Sequence, residues 1–216
     1  MNKFVKRCYG WACERLYAEL AGSYNLISWL VSFGQWDRWR TLALDHLQGG
    51  RVLELGFGTG ELLPHLAART ILTVGLDLSS AMHSQAKRKL VRSRLALPLV
   101  QARAQTLPFA DQSFDTVIAT FPAPYILEPS TVAECMRVLA APLSTGSGGG
   151  RLVIVGLWVT TSQPAWERWL PLFYGRPTQA VLDHLVTRLT TAGFCPTLSE
   201  RQVGRFNVGI IVAERR

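Results

Sequence analysis

From Arg51 onward, short apolar runs alternate with stretches of helical spacing, and this alternation constrains the fold more than any other feature of the chain. Val52 to Leu55, Ile71 to Leu76, Leu97 to Gln101, Phe114 to Thr120 and Leu152 to Leu157 read as strands. Between them, Glu61 to Ala68, Ser79 to Arg92 and Ser130 to Ala140 read as helices. Strands separated by helices run parallel, with helices packed on both faces of the sheet. A further helix is expected from Thr178 to Ala192, ending at Gly193. Two last strands, Cys195 to Gln202 and Phe206 to Ala213, meet across Val203-Gly204-Arg205 as an antiparallel hairpin at the sheet edge. The first fifty residues differ in texture: Leu16, Leu20, Leu26, Ile27, Leu30, Val31, Trp39, Leu42 and Leu47 recur at helical spacing, interrupted at Gly22-Ser23 and Phe33-Gly34. They are expected to form about three helices.

The first of these strands runs directly into Glu54-Leu55-Gly56-Phe57-Gly58-Thr59-Gly60-Glu61. Glycines at alternate positions after a buried strand permit a tight turn and bring backbone amides close to a ligand at the start of the next helix. Two acids accompany the turn, Glu54 at the end of the first strand and Asp77 at the end of the second, the latter placed to accept the hydroxyls of a ribose. The dinucleotide fingerprint requires a third glycine where this chain has Glu61, so a pyrophosphate would meet a carboxylate and NAD is disfavoured. Glu54 and Glu61 suit a ligand with positive charge instead, such as a nucleoside bearing an ammonium and a sulfonium.

Charge and cysteine usage narrow the field further. With 23 Lys and Arg against 15 Asp and Glu, the 216-residue chain carries +8, which draws polyanions. Six of the basic residues, Lys87, Arg88, Lys89, Arg92, Arg94 and Arg103, fall in an acid-free stretch between Asp77 and Asp111, so the excess is a local patch. No apolar run approaches the ~20 residues of a membrane-spanning helix, and no signal-peptide core follows the N-terminus. A cytoplasmic protein is expected. Cys8, Cys13, Cys135 and Cys195 lack paired spacing, and His46, His65, His83 and His184 are scattered, so no metal site is expected.

The segment Val52 to Leu63, VLELGFGTGELL, resembles the first motif of class I S-adenosylmethionine-dependent methyltransferases. Asp77-Leu78-Ser79-Ser80-Ala81-Met82 is similar to the second motif of that family, Leu107-Pro108-Phe109 with Asp111 to Asp115 to its approach to the fourth strand, and Arg137-Val138-Leu139 with Gly149 to Leu152 to its turn into the fifth. Tyr24 to Ser28 and Ser32-Phe33-Gly34 resemble the N-terminal helices of the subgroup that methylates ubiquinone and menaquinone precursors. The resemblance implies an α/β, Rossmann-like seven-stranded and mostly parallel sheet with a C-terminal antiparallel hairpin. It also divides the single domain into a helical cap, 1–50, and a core, 51–216. S-adenosylmethionine would be the cofactor and S-adenosylhomocysteine the product. The implied cofactor residues are Tyr24, Glu54, Gly56, Phe57, Gly58, Gly60, Asp77, Leu78, Met82, Ala104, Gln105 and Thr120. The family pattern is broken at Arg103, where the acid that holds the adenine amino group usually stands, at Asn25 in place of Asp, and at Leu143 to Gly148, which lengthens a tight turn into a loop.

The loop after the fourth strand, Thr120 to Tyr125, occupies the carboxyl end of the sheet, where such folds bind ligands. Phe121 and Tyr125 there, with Trp158, are the expected substrate residues, and Trp166, Trp169 and Tyr174 add to an aromatic-rich lid. These aromatics favour an apolar or aromatic small-molecule acceptor: a quinone precursor, a lipid or a secondary metabolite. The alternatives are an RNA or protein methyltransferase and a non-catalytic cofactor-binding protein. No general base stands out. The basic helix, with Lys3, Lys6 and Arg7 near a Trp-containing N-terminus, suits peripheral contact with an anionic membrane surface. Nucleic acid is disfavoured, because neither a binding module nor a stacking-aromatic motif is present.

Overall fold

In the computed structural model, residues 34–142, 148–163, 170 and 178–216 are described. Tyr24 and the first two expected helices, Trp166, Trp169, Tyr174 and residues 143–147 lie outside them. Strand β1 (Arg51–Leu55) is buried from its second residue onward and pairs in parallel with β2 (Leu72–Asp77) on one side and β4 (Thr116–Thr120) on the other. Beyond β2 lies β3 (Leu99–Gln101), and beyond β4 lies β5 (Arg151–Thr161), both parallel. The antiparallel strands β6 (Phe194–Val203) and β7 (Phe206–Arg215) complete seven strands in the order β3-β2-β1-β4-β5-β7-β6. The expected sheet and its C-terminal hairpin are both present. Because the chain leaves β1 toward β2 and later returns on the other side to β4, the order reverses at β1/β4. At such a point the connections diverge and leave a crevice beyond the carboxyl ends of the strands.

The helices are α1 (Trp36–Thr41), α2 (Leu63–Ala67), α3 (Ser80–Arg92), α4 (Pro129–Val138) and α5 (Gln179–Thr191). Alternate residues of each strand point to opposite faces. Leu53, Leu55, Val117 and Ile154 pack with Val132 and Val138 of α4 and Leu185 and Leu189 of α5. Val52, Ile118, Val153 and Val155 pack instead with Trp39 of α1, the 3-10 turn Leu42–His46, and Leu62 and Leu66. Helix α3 covers a smaller cluster of Phe57, Leu63, Ala86 and Leu90.

Four elements differ from the sequence reading. Pro64 in the first turn of α2 confines that helix to Leu63–Ala67, so the glycine turn extends through Leu62. Strand β3 begins at Leu99, because Pro98 brings no ladder donor; its carbonyl instead accepts the Gly75 N–H at 3.0 Å. The stretch around Trp39 is a short α-helix continued as a 3-10 turn. Strand β5 runs on to Thr161 across a register shift between Val155 and Val159.

At the opposite end of the sheet from the crevice, Asp115 ties β1 to β4. Its Oδ2 accepts the N–H groups of Gly50 and Arg51, each at 2.9 Å, and its Oδ1 accepts the Arg51 guanidinium at 2.6 Å. Burial acts to raise the Asp115 pKa, but these hydrogen bonds outweigh it and hold the carboxyl below its ordinary value. Such a group stabilises the fold above its unfolded pKa, and the stabilisation is lost as pH falls through the folded value. Asp115→Ala should therefore cost about 1.5 to 3 kcal/mol in denaturant unfolding at neutral pH, with the gap to wild type narrowing in acid.

Candidate functional site

The chain leaves β1 at Leu55 and turns at once. The Gly56 N–H donates to the Leu76 carbonyl at 2.7 Å, which fixes the turn against the end of β2, and the Gly60 N–H donates to the Phe57 carbonyl at 2.9 Å. Gly56, Gly58 and Gly60 have φ of 70°, 55° and 75°, a region that side chains rarely adopt. A Cβ at Gly56 would lie 2.5 Å from the Tyr125 hydroxyl, and one at Gly60 would lie 2.8 Å from Ala86 of α3. A Cβ at Gly58 would meet nothing within 4 Å. The turn thus admits Tyr125 on one flank, seats α3 on the other, and leaves open space at its apex.

Asp77 stands beside that space. Its Oδ2 accepts the Gly58 N–H and its Oδ1 the Ser79 N–H, both at 2.8 Å. Burial raises its pKa, opposed by these backbone hydrogen bonds and by nearby His83. A carboxylate has about four acceptor sites, so these backbone bonds leave acceptor capacity for a ligand. Glu54 is 2% exposed, and among the described residues its buried Oε2 has no hydrogen-bond partner. Burial pushes its pKa up to about 8, against the Arg40 charge, which lowers it, with Asp77 adding to the rise. A buried carboxyl oxygen left without a partner suits a cationic or donor group.

Glu61 does not share this role, contrary to the sequence reading. Its carboxylate is paired with Lys89, which α3 carries alongside its buried stripe of Met82, Ala86 and Leu90. The positive charge that Glu61 was expected to meet in a ligand comes from the chain itself.

Beyond β4, Phe121 takes φ 48°, a costly conformation for an aromatic residue. Its N–H donates to the Val155 carbonyl at 2.7 Å, and its ring lies over Gly156, at the β5 register shift. The ring centroids of Trp36 and Trp39 lie 4.2 and 5.9 Å from that of Phe121. Trp36 and Phe121 are half-buried, so part of this aromatic wall faces solvent at the carboxyl end of the sheet.

The remaining expected residues divide by exposure. Leu78, next to Asp77, is an apolar side chain 56% exposed, and Thr120 ends β4 half-buried. Phe57, Met82 and Ala104 are buried; Phe57 and Met82 build the base of the site with their side chains turned into the core. Gln105 is half-buried and donates to Glu128 at 2.8 Å, while Arg103 is exposed. Trp158 is 4% exposed; its ring covers Gly209 and its indole N–H donates to Glu200 of β6 at 2.8 Å. It belongs to the core. Tyr24 lies outside the described residues. The sequence reading did not single out Trp36 or Arg40. Both belong to α1, six residues with no motif, and only the pairing of an aromatic with a basic residue along one helix hinted at a role.

A methyltransferase-domain family model matches residues 52–142. The ubiquinone/menaquinone biosynthesis C-methyltransferase of Geobacter sulfurreducens is 31% identical over 65% of this chain and 56% of its own length. The demethylmenaquinone methyltransferase of Beutenbergia cavernae is 32% identical over 82% of this chain and 68% of its own. The chain spans about three fifths of the length of several other curated relatives. Among solved structures, a SAM-dependent methyltransferase from Aquifex aeolicus has the same fold, with a TM-score of 0.60 at 17% identity, covering 82% of this chain and 89% of that one.

Glu54 yields a prediction that needs no ligand. The folded protein keeps the Glu54 proton up to about pH 8, whereas the unfolded chain releases it near 4.5. Between these values the native state binds more protons, so stability falls as pH rises. Glu54→Gln removes that slope, and the variant should gain more in melting temperature over wild type at pH 8 than at pH 5; an equal difference at both would contradict the assignment.

Proposed function

The chain belongs to the class I S-adenosylmethionine-dependent methyltransferase family, and on that premise we propose that it methylates a small apolar or aromatic acceptor, a quinone precursor being the class its relatives' names support. The observation that carries this reading is the pair of carboxyl groups beside the open apex at Gly58: Asp77, with acceptor sites to spare, and the orphaned Glu54. Asp77 would receive ribose hydroxyls, and Glu54 would receive the ammonium of the amino-acid end. The exposed Leu78 would cover the base. Bound S-adenosylmethionine supplies an electrophilic methyl group on a sulfonium.

What the chain contributes is placement and a dry surface. The Tyr125 hydroxyl, brought over Gly56 by the 3-10 turn Pro124–Leu127, stands where it can orient a polar atom of the acceptor. Phe121 and Trp36 offer an apolar wall beside it. Holding nucleophile, methyl and sulfur in line accounts for much of the barrier reduction in such a displacement. Calorimetric titration with S-adenosylhomocysteine tests the reading: wild type should bind, and Asp77→Ala should bind more weakly by about 1.5 to 3 kcal/mol. No heat from folded wild-type protein would overturn it, and unchanged affinity in the variant would move the ribose elsewhere.

Peripheral contact with an anionic membrane is the second part of the proposal. Ser84, Lys87, Arg88, Val91 and Arg92 line a shallow depression on the outer face of α3, and Val91 is 67% exposed, so basic and apolar groups face outward together. No helix among the described residues is long and apolar enough to cross a membrane. Helix α3 starts beside Asp77 and runs back toward the amino ends of the strands, so contact through Val91 and Arg92 would leave the crevice clear of the bilayer. Co-sedimentation with phosphatidylglycerol vesicles should exceed that with phosphatidylcholine, and the double variant Arg88→Glu/Arg92→Glu should abolish the difference. Equal sedimentation of wild type with both vesicles would remove this part.

A further inference from the structure

The 3-10 turn that carries Tyr125, Pro124–Leu127, is held by a side chain from a distant part of the chain. The last carbonyls of a helical segment find no donor within it. That of Leu127 accepts Nη1 of Arg188, 61 residues further along, at 2.5 Å in a partly buried contact. Arg188 lies on α5 between Leu185 and Leu189, whose buried side chains belong to the same apolar cluster as the wholly buried Ile126 of the turn. Core packing thus fixes where the guanidinium meets the turn. A hydrogen bond from an ionised donor is stronger than a neutral one, and more so away from water.

This contact limits a motion that packing alone permits. Ile126 anchors the turn by apolar burial, which is non-directional. Tyr125 and Leu127 stand on either side of it, both only partly buried against the cluster. A roll of the backbone about Ile126 would therefore move the Leu127 carbonyl and the Tyr125 side chain together. The bond from Arg188 is directional, so it holds one side of that pivot and thereby sets the other. A second tie, from Gln105 to Glu128 at 2.8 Å, is exposed to solvent. The tolerance at Tyr125 is small, since a Cβ at Gly56 would already lie 2.5 Å from its hydroxyl.

We infer that Arg188 is a positioning residue: by holding the Leu127 carbonyl it fixes the Tyr125 hydroxyl beside the glycine turn. The inference rests on the proposed function, which gives that hydroxyl a polar atom of the acceptor. Arg188 meets the turn through backbone and acts through Tyr125. Methionine at this position would keep the apolar stem and lose the donor, whereas lysine would keep a charged donor.

Two readings test this. In protein labelled with 3-fluorotyrosine, the fluorine resonance of Tyr125, assigned by its loss in Tyr125→Phe, should move toward the unfolded-protein position in Arg188→Met and return in Arg188→Lys. In methyl transfer from S-adenosylmethionine to 1,4-dihydroxynaphthalene, a reduced naphthoquinone, Arg188→Met should lower kcat/KM by about ten- to a hundredfold. Its affinity for S-adenosylhomocysteine should stay within about twofold of wild type, and the same substitution made in Tyr125→Phe should add little further loss. An unmoved resonance, unchanged turnover, a full additional loss in Tyr125→Phe, or an equal loss of S-adenosylhomocysteine affinity would overturn the inference. If Arg188→Met does not fold, Arg188→Gln decides by the same readings. Wild-type protein that binds S-adenosylhomocysteine but leaves the naphthalene unmethylated would count against the proposed acceptor, and the fluorine resonance would then decide the role of Arg188.

Discussion

The site depends on one carboxylate that joins three elements. Asp77 ends β2, and by accepting the N–H groups of Gly58 and Ser79 it holds the apex of the glycine turn and the start of α3 at fixed distances from the sheet. The turn is also bound from below by the Gly56 N–H on Leu76. With the start and the apex of the turn held by β2 and Gly60 bonded back to Phe57, the conformational freedom of three glycines is already spent in the fold. Binding therefore orders little backbone. Among the described residues, the Glu54 oxygen is left without a partner, and both acids lie toward the carboxyl ends of neighbouring strands, Glu54 in β1 and Asp77 in β2.

Charge is sorted around this centre. Glu54, buried, and Asp77, half-buried, stand at the carboxyl end of the sheet, while the surplus of basic residues lies mainly on and just beyond α3. One member of that basic group turns inward: Lys89 neutralises Glu61 and removes from the crevice a carboxylate that would otherwise compete for a cationic ligand.

The sheet was legible from the sequence because its strands are nearly continuous apolar runs, as buried parallel strands require, and because the glycine turn follows the first of them directly. Boundaries shifted where a single residue overrode the pattern: Pro64 shortened α2, and Pro98 delayed β3. The places of Glu54 in β1 and of Asp77 at the end of β2 were legible, since the alternating pattern fixes where those strands run. Trp158 was not, because an aromatic beyond a strand reads the same whether it lines a pocket or, as here, fills the space over Gly209. Trp36 was equally hidden: its ring meets Phe121, far along the chain, which helical spacing cannot report.

The central claim, that this crevice supports methyl transfer to an apolar acceptor, is tested most directly by supplying S-adenosylmethionine labelled on its methyl group to the purified protein with a demethylated quinone. The account predicts label in the solvent-extractable fraction in step with formation of S-adenosylhomocysteine. Label confined to RNA or protein when those are offered as competing acceptors, with none in the extract, would contradict it.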